Sequence, residues 1–319
     1  TTMAMDLRRR DWSGRLLELA DMDAGAFPRW CEPGDVIGEV SGDAGRLCNL
    51  RRGTPVVASG HDTQFALLGS GVKSGEAVLS SGTWEILEVR HPRFRPNKTG
   101  FRGGIIYEAD AQPGLWDPQL LMMGSAVLEW IRGKFYPNQE CEGYDSMIRE
   151  ASQVPVGSEG VSIVPSFVSD SGPTRRFRTR GTVLGLCLHT SRAHVYRAAL
   201  EGLSCQLRLA LTILREATGF RARGIRVVGG GSKNDLWNQI RADVTGLPVS
   251  VTAQKEATVL GAALTALVGI GRYSSVREAE RSVSFDERRY DPSRNRALYE
   301  KLFTKFEGIP QALREFYRA

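Results

Sequence analysis

The feature that most limits the fold of this chain is an apolar segment that runs into three consecutive glycines. Ile225 to Val228 has the length and the β-branched composition of a buried strand, and Asn234 to Val244 follows with the spacing of a helix. Between them, Gly229 to Gly231 exceed what a simple turn requires, and glycine lets a ligand approach the backbone closely. The segment therefore predicts a strand, a ligand-binding loop and a helix in direct succession.

The rest of the chain repeats this alternation of short apolar runs and helical periodicity. Strands are predicted at 55–59 (a buried one), 77–81, 84–89, 161–165, 183–188 and 247–251. Helices are predicted at 12–19, 120–136, 143–151, 194–218 and 258–268, with a surface helix within 292–316. Strands that alternate with helices indicate an α/β fold, and the small residues of Gly69 to Gly75 mark the best internal boundary.

Composition and charge argue against several classes of protein. Hydrophobic residues make up 41% of the chain and charged residues 24%, as in an ordinary globular protein. The net charge is +6, but the basic residues are scattered and are not interleaved with aromatics, so no nucleic-acid partner is predicted. A nucleic-acid-binding protein stays open as an alternative that rests on this charge alone. No run of about 18 apolar residues occurs, so no membrane partner is predicted.

The cysteines and histidines give no sign of a disulfide framework or a metal site. The five cysteines are odd in number and none forms a C-x-x-C pair, which favours a reduced, cytoplasmic setting. The four histidines lack the spacing of metal ligands, so no metal-binding residue is predicted. The histidines are His61, His91, His189 and His194, and the cysteines are Cys31, Cys48, Cys141, Cys187 and Cys205.

An ionisable residue follows the predicted strand at 55–59. Gly60 and His61 precede Asp62, which stands where a helix should begin. Asp62 can be a helix N-cap, which satisfies free backbone amides and stabilises a helix by about 1 kcal/mol. It can also be a general base, because the carboxyl ends of strands in α/β folds face the ligand crevice. The residues by themselves leave both interpretations open.

Two glycine-containing segments are candidate phosphate or nucleotide sites. Ser80 to Trp84 lies between two predicted strands, where glycine and hydroxyl residues make either a hairpin turn or a phosphate cradle. The glycines at 229–231 favour a nucleotide, yet Asn234 stands where a dinucleotide fingerprint needs Gly or Ala. Neither a P-loop nor a G-x-S-x-G hydrolase elbow occurs in the chain.

The order of these motifs is more specific than any one of them. Along the chain come Gly60-His61-Asp62, Ser81-Gly82-Thr83, Arg180-Gly181-Thr182, Arg197 with Glu201-Gly202, and Gly229-Gly230-Gly231-Ser232. In this order the chain resembles the FGGY carbohydrate kinases over nearly its whole length. The stretches 60–66 and 79–87 are most similar to the members of that family that act on L-fuculose.

The resemblance implies an actin-like (ribonuclease H-like) ATPase fold and the transfer of a phosphate from ATP to a ketose sugar. L-fuculose, giving L-fuculose 1-phosphate, is the first expected substrate, and L-rhamnulose or D-xylulose are the alternatives. ATP and Mg²⁺ are the expected cofactors. The expected partners are the sugar and ATP, with a homo-oligomer left open. A non-catalytic nucleotide-binding fragment is the alternative function for this chain by itself.

The resemblance also assigns roles to single residues. Asp62 is the implied catalytic base, and Asp62 and Thr63 are the implied sugar contacts. The implied nucleotide contacts are Gly82 and Thr83 in the second phosphate loop of the family, Gly181 near the phosphates, and Gly230, Gly231 and Asn234 in the adenosine motif.

By the same resemblance, the chain divides into three parts. Residues 1–70 are expected to be the truncated end of an amino-terminal sugar-binding domain that carries the catalytic base. Residues 71–285 are expected to form the carboxyl-terminal nucleotide-binding domain, and residues 286–319 a helical tail. The first phosphate loop of the family, of the Asp-x-Gly-Thr type, is not found among these residues. The chain is therefore expected to be part of a longer kinase.

Overall fold

Strands and helices alternate along residues 2–136, 143–169, 171–254 and 256–317, the parts of the chain that this computed structural model describes. The strands are β1 (Met5–Asp6), β2 (Asp11–Trp12), β3 (Val36–Glu39), β4 (Pro55–Val57), β5 (Glu76–Ser81), β6 (Trp84–Glu88), β7 (Ile105–Ala109), β8 (Trp116–Met123), β9 (Ser162–Val164), β10 (Thr182–Leu184), β11 (Gly224–Val228), β12 (Val249–Thr252) and β13 (Glu287–Tyr290). The helices are α1 (Gly14–Leu19), α2 (Gly42–Cys48), α3 (Asp62–Gly69), α4 (Lys98–Gly103), α5 (Ser125–Phe135), α6 (Tyr144–Ser152), α7 (Arg192–Thr218), α8 (Asp235–Thr245), α9 (Ala257–Gly269), α10 (Val276–Arg281) and α11 (Arg296–Ala312). The predicted α/β class is confirmed.

The centre of the fold is a seven-stranded mixed sheet with the strand order β13-β12-β11-β5-β6-β8-β7. β12, β11 and β5 are parallel to one another, and the remaining neighbours in the sheet are antiparallel. All five residues of β11 are buried. Strands covered on both faces are mostly apolar instead of alternating with polar residues, which made β11 predictable from its short apolar run. The exception in β11 is Arg226, which is buried and paired with Glu76 and Glu287.

Helices cover both faces of this sheet. On one face, Leu79 of β5 packs with Leu207 of α7 in an apolar cluster. On the other face, Val78 of β5 packs with Leu67 of α3 and Ala257 of α9. Because successive side chains of a strand point to opposite faces, β5 contributes to both cores. The sheet is therefore the middle layer of three.

The predicted helix over 120–136 is wrong in its first part. The structure places the first four of these residues in β8 and begins α5 only at Ser125. Leu120 and Met122 are buried while Leu121 is exposed, which is the alternation of a strand. A short apolar run satisfies either period, and pairing with β6 and β7 decided this one. The remainder of the segment is confirmed as a helix.

Two predicted strands also differ from the structure. The strand predicted as buried at 55–59 forms β4, which pairs with β3 in a separate two-stranded sheet and leaves Pro55 and Val56 exposed. The strand predicted at 183–188 ends at Leu184, because Gly185 turns the chain with a φ of +79°. Apolar composition therefore overestimated the burial of the first segment and the length of the second strand.

Two glycines let α3 and α9 cross with their backbones in contact. A Cβ at Gly69 would lie 1.9 Å from the carbonyl oxygen of Ala257, and one at Gly261 would lie 2.0 Å from that of Phe65. No side chain fits at such distances, so the crossing requires glycine on both helices. This contact fixes the start of α3 relative to the sheet.

The last part of the chain is joined to the sheet. β13 pairs with β12 at one edge, and α11 buries Tyr299, Phe303 and Phe306 in the largest apolar cluster. The helix predicted to lie on the surface therefore has one buried face. The proposed boundaries at 70/71 and 285/286 stay predictions.

Buried carboxyl groups lie on the antiparallel side of the sheet. Glu88 of β6 and Asp117 of β8 are both 0% exposed. Burial raises the pKa of Asp117 to about 7, and the nearby charges of Asp110 and Glu108 contribute to this rise. Burial and the neighbouring Asp117 raise the pKa of Glu88 well above its ordinary value. The folded protein therefore keeps protons at a pH at which the unfolded chain has released them.

We expect this buried pair to make folding stability fall as the pH rises from about 4 to about 7, the interval between the unfolded and folded pKa values of Asp117. Over this interval the native state binds more protons than the unfolded state, so its stability is greatest on the acidic side. Asp117→Asn, which imitates the protonated form, should reduce the slope by up to about 1.4 kcal/mol per pH unit. Urea unfolding at several pH values across this range measures the slope of the free energy of unfolding against pH. Glu216→Gln, on the exposed part of α7, is the control and should keep the wild-type slope. Equal slopes in all three proteins would contradict the assignment.

Candidate active site

The carboxyl ends of β5 and β11 lie side by side because the two strands are parallel neighbours. The Gly82-Thr83 turn and the glycines that begin at Gly229 therefore leave the sheet at the same edge. The two segments are in contact. A Cβ on Gly229 would lie 2.7 Å from the carbonyl oxygen of Ser81, and one on Gly231 would lie 2.1 Å from its Oγ. The structure thus brings together two of the predicted loops, and glycine is required for this approach.

Gly82 and Thr83 form the tight turn between β5 and β6. The N–H of Gly82 donates to the carbonyl oxygen of Trp84 at 2.9 Å, and the carbonyl oxygen of Gly82 accepts from the N–H of Ser125 at 2.9 Å. The start of α5 therefore holds the turn in place. Thr83 is exposed. The segment is a hairpin turn, as one interpretation predicted, and it has the fixed backbone that a phosphate cradle would need.

Asn234 shapes the second loop from inside the protein. Its side-chain oxygen accepts from the N–H of Trp237 at 3.0 Å, and its amide group donates to the hydroxyl of Tyr196 at 3.2 Å. Asn234 is therefore the N-cap of α8, and its side chain is buried. Any contact that it makes with a nucleotide would pass through the backbone that it holds in position.

A cavity of about 670 Å³ opens beside these glycines, within the range of small-molecule sites. Gly230 borders it, and a Cβ there would meet no other atom within 4 Å. The lining residues are Gly229, Gly230, Ser232, Lys233, Asp235, residues 251–254, Glu256 and residues 286–288. A larger cleft of about 760 Å³ lies near Gly75 and Glu76, at the opposite end of β5, and contains none of the predicted site residues.

Hydrogen bonds and ion pairs hold two of the acidic residues that line this cavity. Burial alone would raise the pKa of Asp235, but bonds from Tyr290 and Arg288 bring it below its ordinary value. The pKa of Glu287 is likewise lowered in spite of burial, by Lys73 and Arg226. Asp235 and Glu287, two of the four acidic residues at the cavity wall, are therefore paired with protein cations.

Asp62 is the first residue of α3 and carries a largely free carboxylate. Its side chain is 77% exposed. Oδ1 accepts from the N–H of Thr63 at 2.8 Å and lies 3.3 Å from Nε2 of His61. The N-cap position of α3 belongs to His61, so the interpretation of Asp62 as the N-cap is wrong. A carboxylate that is oriented by its own helix and open to solvent is available to a bound substrate.

Beside Asp62 lies a polar cluster that the motifs did not predict. Nδ1 of His61 lies 3.1 Å from Oε2 of Glu108 and 2.7 Å from Oγ1 of Thr63. The same carboxylate oxygen of Glu108 accepts from the side-chain amide of Gln64 at 2.9 Å. Thr63 is buried and its hydroxyl is engaged with His61, so its direct contact with a sugar stays a prediction. Glu108 was missed because β7 was not predicted, although Ile105-Ile106-Tyr107 is a strand-forming run.

Asp62 and the glycine-lined cavity are joined through α9. Oγ1 of Thr258, in the first turn of α9, donates to the carbonyl oxygen of Asp62 at 3.5 Å. Glu256, which borders the cavity, directly precedes the same helix. The start of α9 therefore contacts α3 on one side, and the residue before it lines the cavity on the other.

Gly181 lies in a different environment from the other predicted glycines. It directly precedes β10, and a Cβ there would lie 2.4 Å from the ring of Phe167. Phe167 in turn contacts Trp130 of α5, with ring centroids 5.0 Å apart. Close packing therefore explains the glycine, and its role near the nucleotide phosphates stays a prediction.

Other kinds of site were also sought in the described ranges. They hold no group of three or more His, Cys, Asp or Glu side chains placed to bind a metal ion. Cys31, Cys48, Cys187 and Cys205 are free thiols, and Cys141 lies outside the described residues. Among the described helices, none combines the length and the apolar composition needed to cross a membrane.

Solved structures share this arrangement of elements. Xylulose kinase from Rhodospirillum rubrum matches with a TM-score of 0.84 at 23% identity, over 99% of this chain and 63% of that one. A ligand-bound xylulose kinase from Lactobacillus acidophilus matches with a TM-score of 0.86 at 20% identity, over 97% of this chain and 62% of that one. The fold is therefore the actin-like ATPase fold of sugar kinases, as predicted.

Sequence comparison identifies the family. The N-terminal domain model of the FGGY family of carbohydrate kinases matches residues 1–69, and the C-terminal domain model matches residues 77–270. The chain belongs to the FGGY family of carbohydrate kinases.

The curated relatives are longer than this chain. L-fuculokinase from Escherichia coli (strain K12) is 38% identical over 292 residues, which are 92% of this chain and 60% of that protein. Autoinducer-2 kinase from Yersinia enterocolitica is 30% identical over 325 residues, covering 97% of this chain and 60% of that protein. The chain thus spans less than two thirds of the length of these relatives.

The two adjacent glycines Gly229 and Gly230 should respond differently to a methyl group. Gly230→Ala should leave the free energy of unfolding within about 0.5 kcal/mol, because the new Cβ meets open space, and it should weaken ADP binding because that space is the cavity. Gly229→Ala should cost roughly 1–3 kcal/mol, because φ is +85° and Ser81 blocks the Cβ. Urea unfolding and calorimetric titration with ADP measure the two effects. A Gly230→Ala protein with unchanged ADP affinity would exclude this cavity as the nucleotide site.

Proposed function

We propose that these residues belong to an enzyme that phosphorylates a ketose sugar with ATP. The observation that carries the proposal is the exposed carboxylate of Asp62, held on a helix whose packing partner α9 begins at the glycine-lined cavity. This arrangement offers a base for the sugar hydroxyl and, separately, a place for the nucleotide. Membership of the FGGY family supports the same reaction class.

In this proposal, Asp62 accepts the proton of the attacking sugar hydroxyl as the new oxygen–phosphorus bond forms and the bond to ADP breaks. Phosphoryl transfer depends mostly on positioning and on charge neutralisation. A carboxylate is therefore a sufficient base, because the hydroxyl loses its proton only late in the reaction. The N–H of Thr63 and the ring of His61 orient the carboxylate. Glu108 fixes that ring from the other side.

We further propose that the two loops at the carboxyl edge of the sheet divide the nucleotide between them. Gly230, Gly231 and the backbone before Asn234 would hold the adenosine, and Gly82 and Thr83 would face the phosphates. Backbone N–H groups at glycine turns and at helix N-termini suit such anions. Mg²⁺ is bound chiefly by nucleotide phosphates and water, so we expect it to enter with ATP and supply charge neutralisation.

L-fuculose is the first candidate for the sugar, with L-fuculose 1-phosphate as the product. The similarity to L-fuculokinase at 38% identity supports this choice. The similarity to an autoinducer-2 kinase and to structures of xylulose kinases keeps D-xylulose and other substrates as alternatives. L-rhamnulose stays an alternative from the family resemblance alone. The second candidate function is a non-catalytic nucleotide-binding fragment, which the glycine-lined cavity by itself would support. A cytoplasmic setting is proposed because the reaction would use ATP and because the four described cysteines are free thiols.

Asp62→Asn should abolish phosphoryl transfer while leaving nucleotide binding intact. A general base contributes about 10²–10⁴-fold to a rate, and Asp62 lines neither the cavity nor the glycine loops. A coupled assay of ADP release and a calorimetric titration, both on the complete gene product that contains these residues, measure the two properties. Asp43→Asn, an exposed aspartate in the first turn of α2, is the matched control and should keep full activity. Turnover retained by Asp62→Asn would remove Asp62 from its role.

A panel of ketoses should separate the candidate substrates. We expect kcat/KM for L-fuculose to exceed that for L-rhamnulose and D-xylulose by about tenfold or more, because a missing hydroxyl contact costs a site more than one factor of ten. The same coupled assay with each sugar at several concentrations gives the ratios. A higher ratio for another ketose would replace L-fuculose. No transfer to any sugar, with ADP still bound, would favour the non-catalytic alternative.

A further inference from the structure

A buried ion pair lies beneath the two loops that are proposed to hold the nucleotide. Arg241 of α8 and Glu85 of β6 have side chains that are 0% and 1% exposed. Nη2 of Arg241 donates to Oε1 of Glu85 and, at 2.7 Å, to Oγ of Ser81. The Ser81 hydroxyl itself donates to the same Glu85 oxygen at 2.8 Å. Three groups on three elements therefore meet at the residue that precedes Gly82.

The other side of the guanidinium reaches the adenosine loop. Nη1 of Arg241 donates to Oδ1 of Asn238 at 2.9 Å and lies 3.5 Å from the carbonyl oxygen of Gly231. Asn238 donates in turn to the carbonyl oxygen of Ser232 at 2.7 Å. The guanidinium carbon also lies 3.6 Å from the centre of the Trp237 ring. Arg241 thus connects the end of β5 to the glycine loop through its planar fork of donors.

Stability alone does not account for an ion pair in this place. Burial raises the pKa of the Glu85 carboxyl and lowers the pKa of the Arg241 guanidinium, while the charge of each partner opposes the shift of the other. Apolar residues of similar volume often match or exceed the stability of such a pair. The contacts of this pair reach Ser81, which precedes the Gly82-Thr83 turn, and Gly231 of the glycine loop. This points to a role in placing the two segments relative to each other.

We propose that Arg241 and Glu85 are positioning residues that set the distance between the phosphate turn at Gly82-Thr83 and the adenosine loop at 229–234. This inference rests on the proposed nucleotide site. Neither residue lines the cavity, so both act on the nucleotide through the loops. A displacement of about 1 Å in such a framework is enough to cost roughly a hundredfold in function.

The chain contains a matched pair for comparison. Arg197 and Glu201 of α7 are also buried, with side chains 7% and 3% exposed, and are 3.2 Å apart. Glu201 accepts from the N–H of Gly157 and the hydroxyl of Ser158, and Arg197 donates to the hydroxyl of Tyr299. These bonds tie α7 to α11 and to the loop before β9. Loss of this pair should lower stability without a direct effect on the two glycine loops.

The test compares Glu85→Gln with Glu201→Gln in the complete gene product that contains these residues, with ADP as the probe. Thermal unfolding gives the stability of each variant, and calorimetric titration gives the Kd for ADP. Both variants should unfold at a lower temperature. Glu85→Gln should also raise the Kd for ADP about tenfold or more, whereas Glu201→Gln should leave it within about twofold.

Two further variants keep the proposal testable if Glu85→Gln does not fold. Ser81→Ala keeps both charges and removes only the shared hydroxyl, and it should raise the Kd for ADP about threefold. Arg241→Lys keeps the charge but loses the fork that reaches Glu85 and Asn238 together, so it should resemble Glu85→Gln.

Each outcome of this test separates the two proposals. Folded Glu85→Gln, Ser81→Ala and Arg241→Lys proteins with wild-type ADP affinity would overturn the positioning role and leave the nucleotide site intact. Equal loss of affinity in Glu85→Gln and Glu201→Gln would overturn the role as well, since it would show a general effect of destabilisation. An unaltered, folded protein that binds no ADP would overturn the nucleotide site itself.

Discussion

The parallel pairing of β5 with β11 is the constraint on which the rest of the site depends. It sends two connections out of the sheet at one edge, a turn to β6 and a glycine loop to α8. Gly229 and Gly231 then lie against Ser81 at distances that no side chain permits. The cavity exists because this approach leaves Gly230 facing open space. A ligand held there rests on backbone that the sheet itself positions.

Several buried carboxyl groups lie on the antiparallel side of the same sheet. Glu85 is bound by Arg241 beneath the turn, while Glu88 and Asp117 share a buried site where protons are retained. Groups of this kind contribute little to stability compared with apolar packing. The bonds of Arg241 to Glu85 and Ser81 join α8 to β6 and β5. On β7, Glu108 contacts His61 and Gln64 at the start of the helix that begins with Asp62.

The crossing of α3 and α9 gives the amino-terminal segment its place. Gly69 and Gly261 allow the two backbones to touch, so the position of Asp62 is set by a helix that starts at the cavity wall. Asp62 and the glycine loop at 229–231 are far apart in sequence but are connected by one packed element. The curated relatives are longer than this chain, so the activity proposed here is that of the whole protein.

The sequence by itself determined the local units. A short apolar run predicts β11, three glycines predict the loop after it, and helical spacing from Asn234 predicts α8. Each of these units depends only on neighbours a few residues away. The order of such motifs also indicated the family. Tertiary structure decided what depends on distant partners: that 120–123 is a strand, that His61 takes the cap and meets Glu108 across 47 residues, and that Arg241 reaches Glu85. A short apolar run or a single charge has no preferred partner until the sheet has placed its neighbours.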